Sequence, residues 1–227
     1  MPLTLPEELL LLMLDDRTGR LNEGAGPASN YAIAAAILAE LALQGRVDSD
    51  PQRMFVADSA PTGDALLDGV LRRMRAEPAA TPSRGEPDAQ PHTSRWWIET
   101  LGRDAEAYRD QFFARLVQRG ILREEQGRFL WIFPERRYPV ISDKEEREVK
   151  ARLMGVIFQD EIPEPRDALL IGLVRAAGLL PLLLAPDALD AAQPRIDAVA
   201  NLEELSRSLG KAVRDIFVEM ARYTPMM

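Results

Sequence analysis

The apolar positions of this chain recur mostly at the three-to-four-residue spacing of amphipathic helices, and short stretches interrupt that rhythm. In residues 58–75, DSAPTGDALLDGVLRRMR, the positions Leu66, Leu67, Val70, Leu71 and Met74 form one stripe. Asp64 and Asp68 come early and Arg72, Arg73 and Arg75 late, a charge order that suits the helix dipole. Pro61 and Gly63 mark a rigid turn in front, and Asp58, Ser59 and Thr62 are the expected acceptors for the first backbone donors.

The same reading predicts a short helix through Leu14 capped by Thr4, then a turn at 15–19 and an extended pair at Arg20 and Leu21. A small-residue loop at 22–30 leads into an alanine-rich helix over 27–43 that ends at Gly45, and its small side chains predict a central position. Val47 and residues 54–56 are short strands. Residues 77–93, rich in Pro, Ala, Ser and Gly, read as an exposed mobile loop. Ser94 is expected to cap a helix carrying Trp96 and Trp97, and another helix covers 104–119 before Gly120.

Beyond Gly120, Ile121-Leu122 and residues 129–133 are expected as strands around the Glu-Glu-Gln-Gly turn, within a hairpin projecting near 128–140. Ser142 is expected to cap a charged helix to Phe158. Helices are also expected from Arg166 to Ala176, over 187–199 and over 202–223, the last with Leu205, Leu209, Val213, Ile216, Phe217 and Met220 on one face. The fold class is mainly α, a single domain over residues 1–227 with short β-hairpins of winged-helix-like helix–strand–strand character.

Composition narrows the function classes. The chain has 227 residues and is 46% hydrophobic, enough for a sizeable core. It has no cysteine, so no disulfide framework or thiolate chemistry is available. No basic-then-apolar leader opens the sequence, and the longest apolar run, 176–185, contains Pro181 and is too short to span a bilayer. A soluble, cytoplasmic protein is expected. The net charge of −8 opposes nucleic acid and anionic bilayers at long range, so binding to either requires a local basic patch.

Catalysis finds little support. The one histidine, His92, falls in the Pro-rich loop, a poor place for a positioned base, and there is no P-loop or Gly-x-Ser-x-Gly. Asp64 and Asp68, at i and i+4, could share a helix face and hold a divalent cation, although first-turn acids facing the dipole are the more ordinary reading. No enzyme activity, cofactor or metal is expected.

The segment APTGD-x-LLD, with LTLPEELLLLMLDDRTGRL before it and ILAELALQGRV, WWIETLG and LVQRGIL in order along the chain, resembles the Golgi phosphoprotein 3 family. The resemblance is spread from Leu3 to about Leu153. It implies a helical, peripheral membrane-associated adaptor that recognises phosphatidylinositol 4-phosphate. The implied phosphate pocket falls on Ala25, Ala34, Glu106 and Arg109, so only Arg109 keeps the family's residue type. An arginine fork suits phosphate and a glutamate repels it, so headgroup recognition is expected to be weakened or altered. Tyr31, Arg103 and Arg115 are the nearby residues that could compensate. The arginine-rich, lysine-poor composition also reads as that of a high-GC bacterial chain, and most bacteria do not make this lipid.

The run Phe129, Leu130, Trp131, Ile132 and Phe133 is apolar on both faces if it is a strand. Both faces are then covered by protein, or one of them meets a bilayer or a second copy of the chain. The resemblance makes this a hairpin for membrane or oligomer contact, with Arg136 and Arg137 as a cationic rim beside Tyr138. The rival reading is a DNA-binding or regulatory winged helix, using the 104–119 helix and Arg103, Arg109, Arg115, Arg119 and Arg123 for phosphates. Interruption by Asp104, Glu106, Asp110 and Glu124, together with the net charge, makes nucleic acid an unfavoured partner.

Overall fold

The computed structural model describes residues 2–15, 18–22, 28–50, 52–77, 92–129, 133–202 and 204–223. It is mainly α, with two separate two-stranded antiparallel sheets among the described residues. The N-terminal helix α1 (Leu5–Met13) lies in the core, and its nine residues are all buried, Glu7 and Glu8 included. Thr4 starts it through a capping box: its N–H donates to Glu7 Oε2 at 2.7 Å.

Against α1 packs α2 (Ala28–Leu43), which also touches α3, α4, α5, α7 and α10, elements described below. Ala32, Ala34, Ala35, Ala36 and Ala39 are fully buried there. With only methyl groups between backbones, many neighbours can approach one helix closely. Glu40 of α2 accepts the Leu5 N–H at 2.7 Å and so satisfies an orphan donor at the start of α1. Gly45, at φ +66°, ends α2, and the Arg46 N–H returns to the Leu41 carbonyl at 2.8 Å.

β1 (Val47–Ser49) pairs with β2 (Met54–Val56), and α3 (Ala65–Ala76) follows. The cap of α3 is Asp64, which accepts from the Leu66 N–H at 2.9 Å. This corrects the expectation placed on Asp58, Ser59 and Thr62. Thr62 Oγ1 instead accepts the Asp64 N–H at 3.0 Å, and Asp58 accepts the Ala60 N–H at 2.9 Å, so these side chains hold the turn. Leu67, Val70, Leu71 and Met74 are buried, each contributing about 1.5–3 kcal/mol.

Thr93, not Ser94, caps α4 (Ser94–Gly102), accepting the Trp96 N–H at 3.2 Å. The Ser94 hydroxyl lies 2.9 Å from that of Ser208. Of the expected 77–93 loop, residues 78–91 lie outside the described residues.

After α5 (Ala105–Gln118) comes the hairpin of β3 (Glu125–Phe129) and β4 (Phe133–Arg137). Its register corrects the predicted strands. Glu125 pairs with Arg137, Gln126 with Arg136 and Phe129 with Phe133. The Glu-Gln-Gly stretch is therefore strand, and Phe129 and Phe133, the first and last residues of the apolar run, belong to different strands. Residues 130–132 and the side chains of Phe129 and Phe133 lie outside the described residues.

The hairpin base is tied down by a Leu122–Val140 bridge and by the Tyr138 N–H donating to the Gly19 carbonyl at 2.6 Å. The Tyr138 ring stacks on Phe113 at 4.1 Å. Gly19 has φ +64°, and a Cβ there would lie 2.4 Å from Pro139 N.

The rest is α6 (Lys144–Phe158), α7 (Pro165–Ala176), α8 (Leu180–Leu183), α9 (Pro186–Ala200) and α10 (Glu204–Tyr223). Ser142 does not cap α6 as expected; its hydroxyl donates to Glu145 Oε2 at 2.9 Å, and Asp143 occupies the cap position. The stripe of α10 packs on α7, α2 and α4, with Leu209, Val213 and Ile216 buried and Leu205 and Met220 partly so. Among the described residues no helix is long and apolar enough to cross a membrane.

Candidate functional site

The positions of the implied phosphate pocket come from the N-terminal turns of α2 and α5. Ala34 is sealed in the core at 0% exposure. Glu106 stands 79% exposed on α5 and pairs with half-buried Arg109 at 3.6 Å, one turn along the same helix. An arginine that would meet a phosphate thus meets a carboxylate of its own helix first. Ala25 lies outside the described residues.

Among the compensating candidates, Tyr31 packs its ring on Gly102, where an added Cβ would sit 2.7 Å from Tyr31 Cδ1. Arg103 is exposed at the end of α4. Arg115 is committed elsewhere. Its Nε donates to Glu7 Oε1 at 2.8 Å, its NH1 pairs with Asp64, and its NH2 reaches Thr4 Oγ1 at 3.1 Å.

The Arg115 cluster is the feature that sequence reasoning missed. It ties α1, the turn before α3 and α5 into one network, with Arg119 a further 3.6 Å from Glu7. A cavity of about 500 Å³ opens beside it, walled by Pro2, Gly63, Ala65 and Leu66. Adjacent residues on a helix point about 100° apart, so Glu8 faces a second network. It accepts from Arg152 NH2 at 3.1 Å and from Arg166 Nε at 3.2 Å. Arg152 also holds Asp167 at 3.0 Å, and Arg166 holds Glu40 at 3.2 Å. Burial pushes the Glu8 carboxyl above its ordinary value against the pull of both arginines. Two neighbouring acids inside an otherwise apolar helix were the available signal.

These bonds also answer the cation reading of Asp64 and Asp68. Asp64 caps α3 and holds Arg115, while Asp68 accepts from the Thr62 N–H and hydroxyl, both at 2.7 Å. The Thr62 bonds hold the Asp68 carboxyl below its ordinary value. The two carboxylates serve different partners, and no cluster of three potential metal ligands exists among the described residues.

The structure provides the hairpin after α5 but spends most of the arginines a winged helix would need. Arg109, Arg115, Arg119 and Arg123 are all in ion pairs with acids of the same chain. On the hairpin, exposed Arg136 pairs with Asp110 of α5 at 3.0 Å, and Arg137 is half-buried.

A mainly helical domain with an alanine-packed centre, a turn-capped signature helix and a hairpin behind α5 has counterparts among known proteins. The model of the family described as Golgi phosphoprotein 3 (GPP34) matches residues 5–220, and the chain belongs to that family. A relative called vacuolar protein sorting-associated protein 74, from Eremothecium gossypii, is 32% identical over 169 residues. That match covers 68% of this chain and 49% of the relative. The protein of the same name from Schizosaccharomyces pombe is 28% identical over 166 residues, covering 68% and 48%. The chain thus spans about half the length of the curated relatives it matches.

Proposed function

We propose that this chain is a non-enzymatic, peripheral membrane-associated adaptor of the Golgi phosphoprotein 3 type, in which recognition of phosphatidylinositol 4-phosphate is weakened. The adaptor role rests on membership of the family and on relatives named for protein sorting. The observation that carries the weakening is the Glu106–Arg109 pair. A phosphate arriving there meets a carboxylate and must displace it from the guanidinium, while Ala34 offers no second fork. The hairpin then supplies the contact that the pocket does not. Its apolar run starts at Phe129 and ends at Phe133, which pair across the two strands, and Trp131 and its neighbours serve membrane insertion or pairing with a second copy.

Liposome flotation of the purified chain tests both parts, using neutral, generic anionic and phosphatidylinositol 4-phosphate vesicles. The expected result is similar flotation on the two anionic kinds, with phosphoinositide selectivity appearing in Glu106→Arg. Strong selectivity in the unaltered chain overturns the weakening. Trp131→Ala combined with Phe133→Ala is expected to reduce flotation or oligomer mass. If both stay unchanged in a folded protein, the hairpin has neither role.

A further inference from the structure

We infer that the crossing of α7 and α10 forms a second anion site, built for a phosphomonoester and separate from the Arg109 region. The inference does not rest on the adaptor reading. The two helices pack closely at Gly210, where an added Cβ would be in ordinary contact with the Gly172 carbonyl oxygen at 3.6 Å and the Ala176 Cβ at 3.9 Å. Residues 207, 211 and 214 are spaced i, i+4 and i+7, so Arg207, Lys211 and Arg214 form one exposed stripe of α10. The close crossing sets Arg175 of α7 beside that stripe, and all four cations line one shallow depression.

Their charge is only partly answered within the chain. Arg175 pairs with Asp197 at 2.7 Å. Arg207 donates to the Asn201 carbonyl at 2.9 Å, at the C-terminus of α9. Lys211 and Arg214 have no carboxylate within ion-pair distance among the described residues. Glu219, further along α10, is taken by Arg95 of α4. The C-termini of α7 and α9 converge here and together supply roughly one negative charge. Four cations stand against Asp197, these two helix ends and Asp215, which is exposed one turn beyond Lys211 on α10, and the balance stays positive. A phosphomonoester carries about 1.5 to 2 negative charges at neutral pH and would answer that positive balance.

Elsewhere among the described residues most arginines sit in ion pairs, although exposed Arg72, Arg75 and Arg103 do not. Two exposed apolar residues bracket it: Leu202, 56% exposed, before α10, and Val218, 44% exposed and one turn beyond Arg214. The depression itself has room for about 10 Å³, so the ester would sit on the exposed cations at its rim, and such flanks allow it to be a lipid headgroup at a bilayer surface or a soluble one.

The test uses the full chain and the double variant Lys211→Glu, Arg214→Glu at near-physiological salt. One arm measures flotation on phosphatidylcholine vesicles containing phosphatidic acid, a phosphomonoester, or phosphatidylglycerol, a phosphodiester, at matched surface charge. The other arm titrates soluble phosphoserine by calorimetry. The proposal expects binding in at least one arm, preference for phosphatidic acid over phosphatidylglycerol if the vesicle arm responds, and at least tenfold loss in the double variant. Binding confined to vesicles assigns a lipid headgroup, and binding to phosphoserine assigns a soluble ester. No binding in either arm overturns the site, as does equal binding by the double variant or no preference between the two lipids. Lys211→Gln with Arg214→Gln replaces the charge reversal if thermal unfolding shows the latter unfolded. The Trp131→Ala, Phe133→Ala variant must keep the lipid preference, which separates this site from the hairpin.

Discussion

Two sets of cations in this molecule differ in what surrounds them rather than in residue type. Arg115, Arg119, Arg152 and Arg166 close on the buried carboxylates of α1 from opposite sides. Arg207, Lys211 and Arg214 lie exposed along α10. The first set acts as structural bolts, because each guanidinium answers a carboxylate that water cannot reach. In the second set Arg207 donates to the Asn201 carbonyl at the end of α9, and Lys211 and Arg214 have no carboxylate within ion-pair distance among the described residues. Counting arginines therefore says little about anion binding until their partners are known.

The sharpest way to press this comparison is to place a cation where neither carboxylate nor water can receive it. Ala34→Arg does so in the sealed middle of α2, and a loss of about 4 kcal/mol or more is expected in urea unfolding. A folded protein of near-normal stability would mean that α2 can open there, and that the implied pocket is accessible after all.

Removing one bolt comes next. Arg152→Ala leaves Glu8 and Asp167 facing each other without their shared partner, and should cost about 3 kcal/mol, the low end for a buried pair because the guanidinium is a third exposed. Arg214→Ala should stay within about 0.5 kcal/mol of the unaltered chain. Equal costs for the two would falsify the distinction drawn here.

The smallest effects are in pH dependence, where two carboxyl groups act with opposite sign. The folded-state pKa of Glu8 is raised, so the native protein binds that proton more readily than the unfolded chain. Its contribution to stability should fall as pH rises from about 4.5 through the raised value. Asp68 is lowered by the bonds from Thr62, so its contribution is present above about 3.8 and lost as pH falls through the lower folded value. Asp68→Asn should flatten the acid limb of a urea-midpoint profile and leave the higher limb in place. A profile unchanged on the acid side would show that the Thr62 bonds contribute nothing in solution.

Much of the fold could be read from local signals. The period of α3, α5 and α10, the Thr4 capping box and Gly45 at the end of α2 are each settled within a few residues of chain. The errors came where a local signal had a close competitor. Thr93 and Ser94 are neighbours of equal capping chemistry, and only the packing of α10 on α4 takes Ser94 away. In the hairpin, Glu-Glu-Gln-Gly looked like a turn and five apolar residues like a strand. Cross-strand pairing of Glu125 with Arg137 makes the Glu-Gln-Gly stretch strand and puts Phe129 and Phe133 on different strands.

The buried networks were the least legible. Acids are surface residues by default, and the arginines that take Glu7 and Glu8 inside lie more than a hundred residues away. Of the candidate site residues, the structure assigns Arg109 a partner of its own helix and gives Phe129 and Phe133 a backbone register. Leu130, Trp131 and Ile132 lie outside the described residues.

The contact at Gly19 bears on how such a hairpin can be inherited or transplanted. No side chain fits between position 19 and the Tyr138–Pro139 backbone, so the turn after α1 and the hairpin base must be exchanged together or not at all. A chimaera that borrows only residues 121–141 from a relative inherits half of a matched surface. One that also borrows residues 14–22 inherits both halves, and with them the angle at which the hairpin leaves the body.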